Sequence, residues 1–321
     1  MLRYVRAMSN DAMNTPLDTD PLNALGAELA RGDQALAGVA PVLVHLLAQP
    51  GQALVSDQTV AQLRGMTDNL AAQLLENLAV SPAEKADVQH ALCNRLSGNT
   101  QLLSHCYALS VEAQVGQRLQ RDLHIDQVLS PLLQELIASD DEELAELAMM
   151  AMAAQARFVQ AQTRMTLPVE ELPAELFRQA LKASHETLTE HGVETAKAAD
   201  SQLKDRFDEG KGRIALFTRV VTALRGAAGA ALNLEHGGLA LFATALASLT
   251  QQPRELAVLG CTERQHARLA FGLRAASLSA EHVERALAIV HPQIDLPASF
   301  ANLSSQAAKA MLGKSVAGTA R

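Results

Sequence analysis

The 321-residue chain has no Trp, two Tyr and seven Phe, so aromatics make up 3% of it. A generic nucleic-acid binder stacks bases on aromatic rings and carries a basic footprint. This chain has neither: Lys+Arg number 27 against Asp+Glu 35, a net charge of −8, and no nucleic acid is expected as a partner. Cysteine is scarce as well. Cys93, Cys106 and Cys261 form no CxxC pair and no even framework, which excludes a disulfide-stapled secreted scaffold and fits free thiols in a reducing cytoplasm. Long apolar runs are also missing. The most apolar stretches, 39–48 and 237–249, are shorter than the ~20 residues of a spanning helix, so no membrane insertion is expected. Arg3 and Arg6 begin as a signal peptide does, but Ser9, Asn10, Asp11, Asn14 and Asp18 interrupt the apolar region such a peptide needs. Residues 1–20 read as a flexible leader in which Met1, Met8 and Met13 are alternative starts.

What is present is helix. Hydrophobic residues make up 48% of the chain, enough for a sizeable core, and no run of alternating β-branched residues is bounded by hairpin turns. Helix starts carry their caps: Ser81-Pro82-Ala83-Glu84 is a capping box with Pro at the first position. Ser139-Asp140-Asp141-Glu142 and Thr262-Glu263-Arg264-Gln265 repeat that logic, and Ser130-Pro131 is a simpler cap. Stops fall at Ser97-Gly98-Asn99, Gly237-Gly238, Gln252-Pro253, Gly260 and His291-Pro292. The signals predict an all-α fold of roughly a dozen helices, without β-sheet. Short connections and abundant Ala and Leu favour stacked antiparallel hairpins, either a HEAT-like array or an α-α superhelix or bundle.

The expected organisation is a leader over 1–20, a helical array over 21–183, a second helical domain over 184–296 and a basic tail over 297–321. The second domain is expected to open with a long, charged helix starting at Ser184, because Pro168 and Pro173 interrupt the chain just before it. The tail carries Lys309, Lys314 and Arg321 unopposed, and Phe300, Leu303, Ala307 and Met311 give it a weak amphipathic face. Within the first array, Val128, Leu129, Leu132, Leu133, Leu136 and Ile137 predict a central helix buried on most sides. The next helix shows one apolar stripe, Leu147, Ala151, Ala154, Phe158, Ala161 and Met165.

The charge is unevenly placed. Between positions 122 and 156 stand eight carboxylates (Asp122, Asp126, Glu135, Asp140, Asp141, Glu142, Glu143, Glu146) and no Lys or Arg, so the rest of the chain balances at 27 against 27. Carboxylates in a first helical turn complement the helix dipole by ~0.3–1 kcal/mol each, which accounts for Asp140 to Glu143. What remains is a local acidic surface. Asp140, Asp141, Glu142, Glu143 and Glu146 are therefore the expected partner-binding residues, for another protein with a basic surface; the basic tail is a candidate competitor for that face.

Chemistry-bearing patterns are few. His90 and Cys93 lie on one helix, and His105 and Cys106 on the next, across the Gly98-Asn99 turn; an antiparallel hairpin brings His90 towards Cys106, and four such ligands suit zinc. Against it, both thiols sit in leucine-rich runs where cysteine is a core filler, and the spacing matches no familiar zinc pattern. His185-Glu186 and His191 are six apart where a zincin needs four. Lys211, Arg213, Arg219 and Arg225, with no acid between 211 and 234, form a basic stripe that suits phosphate-rich ligands or a membrane surface. No cofactor and no enzymatic activity is expected, since no catalytic motif is present.

Two stretches resemble known proteins. The segment Val128-Leu-Ser-Pro-Leu-Leu-Gln-Glu-Leu-Ile-Ala-Ser139, with the Ala/Met-rich helix ending Gln-Ala-Arg157-Phe, resembles bacterial HEAT-like helical proteins. The segments Leu241-Phe-Ala-Thr-Ala-Leu-Ala-Ser-Leu-Thr250, Pro253-Arg-Glu-Leu256 and Leu269-Ala-Phe-Gly-Leu-Arg-Ala-Ala-Ser-Leu278 are similar to the bacterial domain-of-unknown-function family number twenty-three thirty-six. The resemblance implies a cytoplasmic helical array and transfers no site residues. The expected function is a scaffold or adaptor for protein–protein interaction. The alternative is a small-molecule or metal-binding sensor or enzyme with a pocket between hairpins.

Overall fold

The computed structural model describes residues 21–48, 57–76, 81–193, 201, 203–205 and 207–319. The leader, with its starts at Met1, Met8 and Met13, lies outside the described residues, as does most of the segment 194–206. Among the described residues the fold is all-α, with no strand. The helices are α1 (Pro21–Ala48), α2 (Asp57–Leu74), α3 (Pro82–Ser97), α4 (Thr100–Leu123), α5 (Pro131–Ile137), α6 (Glu142–Thr163) and α7 (Ala174–Glu190). They continue as α8 (Arg213–Ala223), α9 (Leu234–Thr250), α10 (Arg254–Leu259), α11 (His266–Ala275), α12 (Ala280–Val290) and α13 (Ser305–Thr319). Short 3₁₀ segments stand between them, including Val169–Glu171 and Arg225–Leu232.

Local sequence explains most of the boundaries. At α3 the Ser81 hydroxyl accepts from the Glu84 backbone N–H while the Glu84 carboxylate accepts from Ser81 N–H, the reciprocal box the sequence spells out. Asn99, read as part of a stop, also starts α4: its side chain accepts from the N–H groups of Gln101 and Leu102. The cap of α6 is Asp141 and not Ser139, since the Asp141 carboxylate accepts from Leu144 N–H. Thr262 caps nothing; its hydroxyl donates back to the Leu259 carbonyl.

Buried apolar residues form two clusters, and these do not follow the expected division at 184. The larger holds most of the chain from Leu216 to Leu312, and the smaller gathers α2, α3 and α7. Three long helices serve both. Helix α1 gives Leu25 and Leu29 to the larger and Leu43 to the smaller; α4 gives Val111, Val115 and Leu119 to one and Leu102, Leu103 and Cys106 to the other; α6 divides between Ala154 and Phe158. Ser184 lies inside α7, whose start is set by Pro173, immediately before Ala174. A proline fits the head of a helix because its missing N–H has no partner there in any case, and the apolar series Leu176, Phe177, Ala180, Leu181 and Leu188 runs unbroken through position 184.

The helix enclosed on all sides is α9, not the one at 128–137. From Leu239 to Ala247 every residue of α9 is buried, and it packs against α5, α8, α10 and α11. In α5 only Leu132, Leu133 and Leu136 are buried, because seven residues make barely two turns and leave Gln134 and Glu135 in water. As far as Leu312 the tail is also part of the core, while Arg321 and the Lys314 side chain lie outside what the structure describes. Phe300, Leu303, Ala308 and Leu312 are buried, Ala307 is exposed, and α13 packs on α1 and α11. The first and last helices thus meet, as in a closed bundle; in a one-dimensional stack each hairpin meets only its neighbours. No single helix among the described residues is long and apolar enough to cross a membrane.

Candidate functional site

Where the two clusters adjoin, the interior is charged. Glu112 sits midway along α4 among Val111, Ala113 and Val115, and its side chain is 2% exposed. An unpaired carboxylate there costs several kcal/mol, and two arginines offset it. Arg213, the first residue of α8, donates from Nη1 to Oε1 at 2.7 Å and from Nη2 to Oε2 at 3.1 Å. Arg254, the first residue of α10, donates to the same oxygens from the other side at 2.6 and 2.7 Å. Both are fork-to-fork pairs, the strongest geometry for these ions.

Further donors of both arginines are also engaged. Arg213 Nε donates to Glu171 Oε2 at 3.1 Å and Nη1 to Gln155 Oε1 at 3.1 Å, while its guanidinium carbon lies 3.7 Å from the centre of the Phe158 ring. Gln155 in turn donates to the Gln127 carbonyl at 2.9 Å, and Arg254 Nε to Thr244 Oγ1 at 3.0 Å. The cluster therefore ties α4, α6, α8, α9, α10 and the 3₁₀ turn at 169–171 to one another, with two acids balancing two arginines.

Electrostatics follow from this geometry. Burial alone pushes the Glu112 carboxyl up, but the Arg213 and Arg254 charges outweigh it and hold the group far below the usual carboxylate range. Burial disfavours the Arg213 cation, and Glu112 and Glu171 reverse that, raising it above its ordinary value. Such a carboxylate neither gives nor takes a proton near neutrality. The arrangement is a clamp between packed elements and not an acid–base pair.

Next to it, His105 Nε2 lies 2.9 Å from the Glu171 carbonyl oxygen and Nδ1 lies 3.3 Å from Glu255 Oε1. The His105 hydrogen bond lowers the Glu255 carboxyl below its usual range against the opposing effect of burial. His105 is thus turned into the interface with α10, away from the expected ligands. His90 is exposed and bonded to Asn94 at 3.1 Å; Cys93 lies 3.7 Å from Thr67 Oγ1. Cys106 is enclosed among leucines, and burial pushes its thiol up to about 12. The four do not converge, and no group of three His, Cys, Asp or Glu able to hold a metal occurs among the described residues. Antiparallel pairing brings α3 and α4 together, but side-chain direction on each helix sends the candidates to different neighbours.

The basic stripe is likewise divided. Arg213 is buried in the clamp, Lys211 pairs with Asp208 at 3.3 Å, and only Arg219 and Arg225 stand free on the surface. A depression of about 350 Å³ beside the α3–α4 turn is lined by Asn99, Gln179 and Lys182 and by Arg95 and Glu186, which pair at 2.7 Å.

The acidic residues are all exposed. Asp141 is occupied as a cap, while Glu142, Glu143 and Glu146 stand on the outer face of α6. Behind them on that face come Met149 and Met150, 46% and 39% exposed, then Ala153, Arg157 and Gln160. Met165, expected in the buried stripe, is past the end of the helix, exposed and at φ 56°. No family model, curated protein or solved structure matches the chain.

Glu112, Glu171, Gln155 and Arg254 were not among the candidates read from the sequence. The signal for Glu112 was available: it is the one Asp, Glu, Lys or Arg between Leu102 and Val115, a stretch rich in Leu, Val and Ala, and a charge buried there must be paired. Nothing in the sequence pointed to its partners, which lie 101 and 142 residues away.

Proposed function

We propose that the protein is a non-catalytic cytoplasmic scaffold that binds another protein through the outer face of α6. The observation that carries this reading is the pair Met149 and Met150, adjacent large apolar side chains left in water beside Glu142, Glu143 and Glu146. Methionine is flexible and polarizable and suits adaptable contact surfaces, and an acidic border selects a partner whose apolar stripe ends in basic residues. The apolar contact supplies affinity; the exposed charges act mainly on orientation and association rate.

The test is titration of a labelled amphipathic Leu/Lys helical peptide into the full chain. Binding is expected to weaken at least tenfold in the double variant Met149→Ser, Met150→Ser, about 1.4 kcal/mol, and to lose its salt dependence when Glu142, Glu143 and Glu146 all become Gln. Binding indifferent to both sets of changes refutes the reading.

A further inference from the structure

The outer face of α6 has an internal symmetry of charge. Glu143, Met150 and Arg157 follow at intervals of seven residues, close to two full turns each, so they lie nearly on one line along the helix surface. All three are exposed. Glu143 and Arg157 are each about 10 Å along the axis from Met150, in opposite directions, at ~1.5 Å per residue. Beside this line runs a second exposed one: Glu142, Glu146, Met149, Ala153 and Gln160. Its first steps of four, three and four have the spacing of a helix-pair seam, with Met149 and Ala153 as its apolar members. The opposite side of α6, with Leu147, Ala151, Ala154 and Phe158, is already used by the interior.

We infer that a second copy of this chain docks here, with the two α6 helices antiparallel and a twofold axis passing at Met150. In such a pair, positions equally far from the axis on opposite sides face each other. Glu143 then meets Arg157 of the second copy, and Arg157 meets the second copy's Glu143, so one contact occurs twice. Met150 packs on its own counterpart, and Met149 lies diagonally across from Ala153 of the second copy, two positions off register, where the small side chain admits close approach. A parallel pair instead sets Glu143 against Glu143. Among the described residues Glu143 and Arg157 have no ion-pair partner within the chain, so neither must be released first. The inference rests on the reading of α6 as an interaction face and names its occupant. The basic group that the acidic end calls for is Arg157 of the same helix in another copy.

One helix face with its flanks is a small interface, so association in the micromolar range is expected. Mass measured by sedimentation of the full chain over a dilution series should move from dimer to monomer. Arg157→Glu alone and Glu143→Arg alone should each weaken the dimer at least tenfold, because each sets like charges face to face in two places. The two together should restore it, because the pairs re-form with reversed sign. As a readout independent of charge, Met150→Cys should cross-link to itself through a short bis-maleimide, while Leu123→Cys, exposed at the end of α4, should not. A chain that is monomeric at every concentration overturns the inference, as does a dimer unmoved by both single reversals or not restored by the double one. A monomer that still binds the Leu/Lys peptide overturns the self-docking alone; a monomer that ignores the peptide overturns the interaction face with it.

Discussion

Glu112 and Arg213 stand 101 residues apart and are joined by two hydrogen bonds of 2.7 and 3.1 Å, with side chains 2% and 0% exposed. Arg254 approaches the same carboxylate from 142 residues away. Three segments far apart in the chain thus converge on one buried anion, and the register of α8 and α10 against α4 is fixed there.

Removing the anion leaves two guanidiniums facing each other in the interior. Glu112→Gln is expected to cost about 3–5 kcal/mol, as one-sided breaking of buried ion pairs does. Replacing the whole set by apolar residues, Glu112→Leu with Arg213→Met and Arg254→Leu, is expected to cost far less or to stabilise, because the desolvation of all three ions disappears together. Urea denaturation of the three proteins separates these outcomes. Equal losses in the single and the triple variant would show that the clamp stabilises in its own right.

The same carboxylate sets the response to acid. Its folded value is held below its unfolded one, which is ~4.3 for Glu. The associated stability is fully present above that value and is lost as pH falls through it towards the folded value. Denaturation midpoints measured from about pH 6 down to pH 3 should fall more steeply for the native chain than for Glu112→Gln, which has no proton to take up there. Parallel curves would remove Glu112 as the cause.

These two predictions rest on Glu112 and Arg254, which the sequence did not mark, and on Arg213, which it marked as a surface residue, and the reason is physical. Helix starts are local events, so Ser81, Ser130 and the Pro173-Ala174 start have their causes within four residues. The outward position of Glu142, Glu143 and Glu146 is equally local, because it follows from the 3.6-residue period of Leu147, Ala151 and Phe158. The clamp depends on which helices become neighbours, and that is decided by the whole chain. Arg213 shows the difference: beside Lys211, Arg219 and Arg225 it reads as one of a surface stripe, yet the start of α8 lies between the two clusters and the side chain is enclosed. The tail shows it too. Its apolar face was visible, but burial of Ala308 and Leu312, with Ala307 left exposed and Met311 half-buried close over Gly26, follows from the approach of α13 to α1.

Asp140 and Asp141 are adjacent acids with different work. Only Asp141 accepts a backbone N–H, that of Leu144 at 3.1 Å. Asp141→Ala is therefore expected to cost about 1 kcal/mol as a lost cap, with Asp141→Asn close to native because it keeps an acceptor. Asp140→Ala should stay within ~0.5 kcal/mol, as surface changes away from such features do. Thermal unfolding of the three variants is sufficient, and equal effects at 140 and 141 would count against the cap.

Gly237 and Gly238, where the sequence signals a stop, bend the first turn of α9 away from the rest. Gly238 has φ 67° and ψ 169°, a conformation essentially reserved for glycine. Gly237 is constrained by space: a methyl group added there would lie 2.5 Å from the Ala231 carbonyl oxygen and 3.0 Å from its Cα, and backbone cannot yield as a flexible side chain does. The 3₁₀ segment 225–232 is thereby held tight against the buried helix. Gly237→Ala is expected to destabilise by roughly 1–3 kcal/mol through overpacking, and Gly238→Ala by a similar amount through backbone strain. Gly229, with nothing within 4 Å of an added methyl, is the internal control: Gly229→Ala should be neutral or slightly stabilising, since alanine has less chain entropy to lose. Urea midpoints for the three variants should rank 229 above both others, and a tolerant Gly237→Ala would mean that the contact with Ala231 is looser than 2.5 Å implies.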